Sequence, residues 1–445
     1  MEPKLHQYQE DAKNWILSHN SAGLFLPPGL GKTLISLSAL DVILKHTDID
    51  RILIIAPLRV MYLVWPAEIK KWDFDFSVGI LHGKDKDTTI RQKYDIYIIN
   101  PEGLKWLFGN HARLFEKFNF MLISDESTLF KNYASQRFKL LKKHLAHFTR
   151  RVILTGTPAP NGLLQLWSQI YILDFGKRLG TGITKYRNKW FIKDYSGFGY
   201  NMMDGADTDI YRQINDIVMH KSNDELNLPE LLSNTIQIEL PLDAMGVYND
   251  MKNEFVIELE SDEDITAVNA AAKASKLKQI ANGVVYGNER IPLFIHDEKL
   301  NAAKELVDSL AGSPLLIVYE FLHDLSRLKE LFNAPHIGSG VSGEELSEIV
   351  HQWNSGEISV LLIQPQAGGH GLNLQDGGCH DILHYSITFD LELYAQVNAR
   401  VHRQGVKNHV TIHHLVANKT VDQKVMRVLE GKANLQNELL EYLIK

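Results

Sequence analysis

The sequence predicts an α/β fold: two parallel-sheet lobes with a mainly helical insertion. Three observations carry that reading. Short apolar runs alternate with helix-forming stretches in the first 160 residues, and the alternation resumes after His296. Each run is apolar at consecutive positions, the pattern of strands buried on both faces of a parallel sheet. A glycine loop, LPPGLGKT at 26–33, lies between one such run and a helix-forming stretch, a strand–loop–helix unit.

In chain order, apolar runs predict strands at residues 22–25, 52–56, 96–100, 120–124, 151–155 and 235–240, all read with the first sheet. Residues 162–228 turn mostly helical and aromatic, which marks an insertion. Residues 244–281 read as one or two helices, and NAAAKASKLKQI at 269–280 is strongly helix-forming. Residues 283–295 (GVVYGNERIPLFI) read as a loop or short hairpin between lobes. Strands resume at 315–319, 359–363, 381–385 and 409–415, and amphipathic helices follow at 421–429 and 434–443. The expected division is a first lobe at 1–162, the insertion at 163–234, a return strand with helices and a linker at 235–295, and a second lobe at 296–445.

A chain of 445 residues can bury two or three cores, and its 44% hydrophobic and 23% charged content is that of a globular protein. One cysteine, Cys379, rules out a disulfide framework and a multi-cysteine zinc site. The 19 histidines lack metal-ligand spacing. No apolar run reaches eighteen residues and the N-terminus has no signal-peptide core, so a cytoplasmic protein with no membrane partner is expected, in a bacterial cytoplasm or nucleoid or in a virus-infected host. The net charge of −7 argues against a strong nonspecific hold on nucleic acid, though not against a local groove. Basic residues gather at 137–151 (RFKLLKKHLAHFTRR), 177–193 and 400–407, each also compatible with a solvated helix face; the acidic stretch ELESDED at 258–264 opposes them.

The glycine loop has a definite chemistry. Gly29 and Gly31 let backbone amides turn toward a polyphosphate, Lys32 reaches the β- and γ-phosphates, and the Thr33 hydroxyl can ligate Mg²⁺. Leu26 stands where the strict form of the motif begins with glycine. The run FMLISDE at 120–126 ends in two carboxylates, where ligands collect on an open parallel sheet. Asp125 suits a metal, and Glu126 suits orienting and deprotonating a water. In RVILTGTPAPN, 151–161, a further strand runs into a Thr-Gly-Thr-Pro turn that sets two hydroxyls beside those carboxylates. Near the other end, QVNARVHRQG at 396–405 would place Gln396, Ala399, Arg400 and Arg403 on one helix face, suited to an anion.

Together these segments resemble the superfamily-two helicase core, in its Swi/Snf-type branch. LHQYQEDAKNWI resembles the opening motif, with Gln9 the implied adenine reader. ILIIAPLRVMYLVWPAEIKKW and YIINPEGL resemble segments Ia and Ib, which implies nucleic-acid contacts at Arg59 and Asn100. VMHKSNDELNLPELL resembles the family's basic segment, LLIVYEF motif IV, AGGHGLNLQDGG motif V and QVNARVHRQG motif VI. The resemblance implies two RecA-like lobes, ATP and Mg²⁺ as ligands, Gln396 and Gly371 at the nucleotide, and Gly368, Gly369 and Asn373 on nucleic acid. It makes Arg400 and Arg403 arginine fingers. Departures stand at Ser127-Thr128, at Gln364-Pro365-Gln366, at Phe389-Asp390-Leu391, at Ala399 and at Val406; none removes a phosphate, metal or water ligand.

The function expected is an ATP-dependent motor on duplex DNA, a monomer that works beside a separate nuclease, replication or recombination partner. Two alternatives stay open: a strand-separating or annealing helicase on branched DNA or RNA, and a module that binds ATP without cycling it.

Overall fold

The computed structural model describes residues 4–160, 162–193, 200–221, 228–261, 267–287, 291–368, 372–403, 406–427 and 429. Backbone contacts divide the chain into two compact units, Met1–Asn227 and Leu228–Gly431.

The first unit opens with helix α1 (Gln7–Ser18), strand β1 (Ser21–Phe25) and helix α2 (Lys32–His46). There follow β2 (Arg51–Ile55), β3 (Val78–Ile80), β4 (Ile96–Ile99), β5 (Phe120–Asp125) and β6 (Phe148–Thr155). The insertion adds an antiparallel pair, β7 (Phe191–Lys193) with β8 (Tyr200–Met202), and then β9 (Val218–His220). Seven of these form one sheet in the order β3-β4-β2-β5-β6-β1-β9, and every pairing is parallel. Successive side chains leave a strand on opposite faces. Ile52, Ile54, Met121, Ile123 and Val152 therefore pack under α1 and α2, while Leu53, Ile55, Leu122 and Ile153 pack under helices Gln136–His144 and Leu166–Asp174. This two-sided burial explains the unbroken apolar runs. Strands β3 and β9 were not foreseen, since three residues are too few to set a period. Tyr186, Trp190, Ile210 and Tyr211 tie the helices of the insertion to the core of the first sheet.

The second unit holds β10 (Leu231–Ile238), an antiparallel hairpin of β11 (Val284–Tyr286) and β12 (Pro292–Phe294), and then β13 (Leu315–Val318), β14 (His336–Ile337), β15 (Val360–Ile363), β16 (Asp381–His384) and β17 (Val410–Ala417). Its sheet is parallel throughout, ordered β10-β17-β16-β13-β15-β14. One placement differs from expectation. The strand read at 235–240 with the first sheet is β10, and it pairs with β17 from Leu231↔Val410 to Ile238↔Ala417. A strand's own residues do not say which distant strand will match it, and eight paired positions decided this one. Residues 421–427 are helical, while the helix expected at 434–443 lies outside the described residues.

Beyond the C-terminal ends of β13, β16 and β17 lies a buried polar network. Lys299 Nζ is 2.6 Å from Asp422 Oδ2 and donates to Asn282 Oδ1 at 2.8 Å. Asn282 Nδ2 and Ser386 Oγ donate to Asp324 Oδ2 at 3.0 and 2.7 Å. Burial raises the Asp324 carboxyl, but His323, Ser386 and the Phe321 amide outweigh it and leave the group below the ordinary carboxylate range. Among the described residues, no helix is long and apolar enough to cross a membrane.

Candidate functional site

Because the first sheet is parallel, β1, β5 and β6 deliver their last residues to one edge, with Phe25 opposite Thr155 and Asp125 opposite Leu154. The glycine loop leaves β1 there and turns into α2. Gly29 and Gly31 have φ of 92° and 78°, the left-handed region that side chains disfavour, and Gly31 caps the helix. The 15-residue α2 thus presents its unpaired amides at the loop, the arrangement that holds phosphate. Lys32 opens α2, and its ammonium donates to the carbonyls of Leu26 and Pro27 at 2.7 and 3.3 Å. Thr33, half-buried, follows it.

Gln9 lies against this loop. It is buried, accepts from the His6 amide and donates to Leu30 O at 3.4 Å. A Cβ on Gly31 would come within 2.5 Å of its Nε2, so the second glycine serves close approach as well as the turn. Gly156 makes the matching approach from the Thr-Gly-Thr-Pro turn, where a Cβ would meet Pro28 Cδ at 2.8 Å.

The two carboxylates are held differently. Asp125 Oδ2 accepts from the indole of Trp65, fully buried, at 2.8 Å. Removal from solvent raises the Asp125 carboxyl to about 6, and adjacent Glu126 adds to the rise; the Trp65 indole and Lys32 oppose it. Glu126 has φ 60° and ψ 71°, a left-handed conformation that costs a non-glycine residue about 1–3 kcal/mol. Two hydroxyls hold it there: Thr155 Oγ1 donates to Glu126 Oε1 at 2.9 Å and Thr128 Oγ1 at 3.1 Å. Ser127 donates to Gln169 Oε1 at 2.6 Å, and Gln169 in turn donates to Pro158 O at 2.5 Å. Of the two residues that depart from the family pattern, Ser127 thus links the carboxylate strand through Gln169 to the Thr-Gly-Thr-Pro turn, and Thr128 holds Glu126.

The donor set fits Mg²⁺. Among the described residues no three His, Cys, Asp or Glu side chains could hold a metal together. A Mg²⁺ that keeps waters and phosphate oxygens needs only one or two protein ligands, a carboxylate first. Asp125 and the Thr33 hydroxyl are of that kind.

The residues expected from the later motifs belong to the second unit, and one expectation there needs correction. The helix expected to carry Gln396, Arg400 and Arg403 on one face is Leu391–Asn398, so Arg400 and Arg403 lie in the turns beyond it. Asn398 turns its side chain to the buried His384 ring at 2.9 Å, and Arg400 folds back to donate to Gln396 O at 3.2 Å and Leu372 O at 3.1 Å. A guanidinium on the last carbonyls ends the helix in the way a C-terminal cation does. Gln396 is buried, and its Nε2 donates to Glu392. Gly369 and Gly371 lie outside the described residues, and Gly368 closes the short helix Pro365–Gly368. Asn373 donates to Asp376 at 3.2 Å. In the first unit, Arg59 is half-buried on helix Leu58–Leu63, and Asn100 donates to Glu102 at 2.9 Å. Burial lowers His384 and His414 to about 3 and about 4, so both rings are neutral. Trp65, Thr128 and Gln169 were not foreseen as site residues. Trp65 reads as core from sequence, and sixty residues separate it from Asp125.

Residues 8–288 match the SNF2-related domain, and residues 298–405 match the helicase conserved C-terminal domain. Protein p41 of the Acyrthosiphon pisum secondary endosymbiont phage 1 is 33% identical over 98% of this chain and 97% of its own length. An uncharacterized ATP-dependent helicase of Mycoplasma genitalium is 25% identical over 98% of this chain, which spans 42% of that relative's length. A solved structure titled Sulfolobus solfataricus SWI2/SNF2 ATPase core in complex with dsDNA matches with a TM-score of 0.47 and 20% identity, over 99% of this chain and 93% of that one.

Proposed function

Because the chain belongs to the SNF2-related helicase family, we propose that it is an ATP-driven motor that moves along duplex DNA. The observation that carries the ATPase half is the convergence at one sheet edge of the glycine loop, Asp125, and a Glu126 clamped by Thr155 and Thr128. In this reading Lys32 leaves the Leu26 and Pro27 carbonyls for the β- and γ-phosphates, and the loop amides hold the remaining phosphate oxygens. Asp125 and Thr33 would hold Mg²⁺, whose chemistry is to neutralise phosphate charge. Glu126 orients the water and takes its proton. Gln9, which lies beside Gly31, reads the base. Arg400 and Arg403 neutralise charge on the transferred phosphoryl group, the role of arginine fingers, after Arg400 exchanges its present carbonyl partners for phosphate. The duplex enters from the resemblance of the motifs to the Swi/Snf-type branch of the helicase core. Hydrolysis and movement are coupled when these arginines depend on nucleic acid for that exchange.

Steady-state ATP hydrolysis measured side by side with linear duplex DNA, single-stranded DNA, forked DNA and RNA tests the proposal. The motor reading predicts strong stimulation by linear duplex. Stimulation confined to forks or RNA would replace it with a strand-separating helicase, and nucleotide binding without turnover under any condition would replace it with an ATP-binding module.

A further inference from the structure

We propose that the first unit carries a second anion site, built to hold the phosphate backbone of a nucleic acid, in a lysine-lined pocket on the sheet face opposite α2. The pocket encloses about 510 Å³ and is lined by Gln136, Lys139, Leu140, Lys142, Lys143 and Tyr171. Its place follows from the sheet. Phe138, Leu141, Leu166 and Ile170 anchor the two helices that form it on Leu53, Leu122 and Ile153, whereas Leu37 and Leu40 of α2 pack on the other face with Ile52 and Ile123. The site is therefore separate from the phosphate loop.

Three features distinguish the pocket from an ordinary solvated helix face. No carboxylate lines it, and among the described residues none of the three ammoniums is ion-paired. In a chain of net charge −7 that concentration of unpaired cations is local, not compositional. Lys139 and Lys143 are four apart on one helix, a like-charge spacing that destabilises it by a few tenths of a kcal/mol unless an anion intervenes. The helix dipole accounts for cations in the last turn, where Lys142 and Lys143 sit, but not for Lys139. The third feature is order. Lys142 Nζ lies 4.2 Å from the Tyr171 ring centroid and 5.5 Å from that of Trp167, so one cation is held in place by aromatic faces. Point charges over an aromatic floor, with Gln136 as a neutral donor, suit sugar and phosphate. An acidic peptide would also need a seat for its apolar side chains, and beside the aromatic floor, which Lys142 covers, Leu140 is the one aliphatic side chain in the lining.

The inference rests on the reading that the protein binds duplex DNA and adds a contact outside the ATP site. Its test uses the full chain with Lys139→Gln, Lys142→Gln and Lys143→Gln combined, and in parallel Lys139→Gln with Lys143→Gln, which keeps the aromatic-held lysine and its packing. Duplex binding is followed by fluorescence anisotropy between 50 and 200 mM salt, with ATP turnover measured alongside. With one phosphate neutralised per lysine, and its counterion released, the magnitude of the slope of log affinity against log salt falls by about 2.7 in the triple variant and about 1.8 in the double. Turnover without DNA, and at saturating DNA, stays at the native level. A salt slope and affinity equal to the native protein's would overturn the site. So would unchanged duplex binding with loss of a polyglutamate peptide that the native protein holds, which would assign the pocket to an acidic protein. Native protein that shows no salt-dependent duplex binding and no duplex stimulation would instead remove the motor reading on which the site rests.

Discussion

Replacing Thr155 by valine isolates what the Thr-Gly-Thr-Pro turn does. Thr155 ends β6 with its side chain fully buried, and Oγ1 donates to Glu126 Oε1 at 2.9 Å while accepting from the Thr157 amide at 3.2 Å. Valine keeps the shape and the strand preference, so no cavity opens. What is lost is a hydrogen bond to a charged group, about 1.5–3 kcal/mol, and an acceptor for one amide, about 1 kcal/mol. Glu126 keeps Thr128 at 3.1 Å, but its left-handed backbone then relies on one hydroxyl in place of two. If the carboxylate must stay in place to orient water, the first loss falls on the transition state and lowers kcat by about 10- to 100-fold. Nucleotide affinity should hold within about twofold, because the loop amides and Lys32, which supply phosphate binding, are untouched. The assay pairs steady-state turnover at saturating duplex DNA with equilibrium binding of a non-hydrolysable ATP analogue, and Thr155→Ser, which restores the hydroxyl, should recover most of kcat. A kcat within twofold of native, or a loss matched by an equal loss of analogue binding, would refute the clamp.

Trp65→Phe removes the indole donor from Asp125 and should raise the Mg²⁺ needed for half-maximal turnover by about tenfold, as loss of a partner behind a metal ligand does, with stability followed by thermal melting as the control. Lys299→Met should destabilise the second unit by about 3–5 kcal/mol in urea titration by stranding Asp422, and adding Asp422→Leu should recover most of that loss. Burial lowers His220 to about 4, and its ring nitrogens have no partner among the described residues. The unfolded chain takes that proton near pH 6.5 and the folded chain only near pH 4. Stability is therefore present above 6.5 and is lost as pH falls toward 4, by about 2 kcal/mol between pH 7 and pH 5. Urea midpoints at those two pH values should converge in His220→Asn, and equal pH slopes in native and variant protein would contradict the assignment.

What was legible in the sequence was whatever is local along the chain. Gly29 and Gly31 need left-handed backbone, and a loop that needs it announces itself by glycine. The central strands are buried on both faces, so they read as unbroken apolar runs. Strands of three residues, β3 and β9, have too little length to show a pattern. The partner of β10 could not be read, because register with β17 is settled by residues almost 180 positions away. The helix at the arginine motif ended early for a similar reason. Its periodicity continues to Arg403, but His384 engages the side chain of Asn398, the last residue of the helix, and Leu372 that of Arg400 just beyond it. Around the carboxylates, charge was legible and support was not. Asp125 and Glu126 stand out as a pair, whereas Trp65, Thr128 and Gln169 look like ordinary core and turn residues until the fold sets them beside that pair.

The central claim is that ATP is hydrolysed on the glycine loop of the first unit in response to duplex DNA. Turnover by native protein and by Lys32→Ala, each with and without linear duplex, tests it most directly. Lys32 lies half-buried at the head of α2, and its ammonium holds only two backbone carbonyls of the loop, those of Leu26 and Pro27, so alanine should leave melting temperature and circular dichroism near native. The account predicts duplex-stimulated hydrolysis in the native protein and none above background in the variant. A folded Lys32→Ala protein that still hydrolyses ATP at the native, duplex-stimulated rate would contradict it.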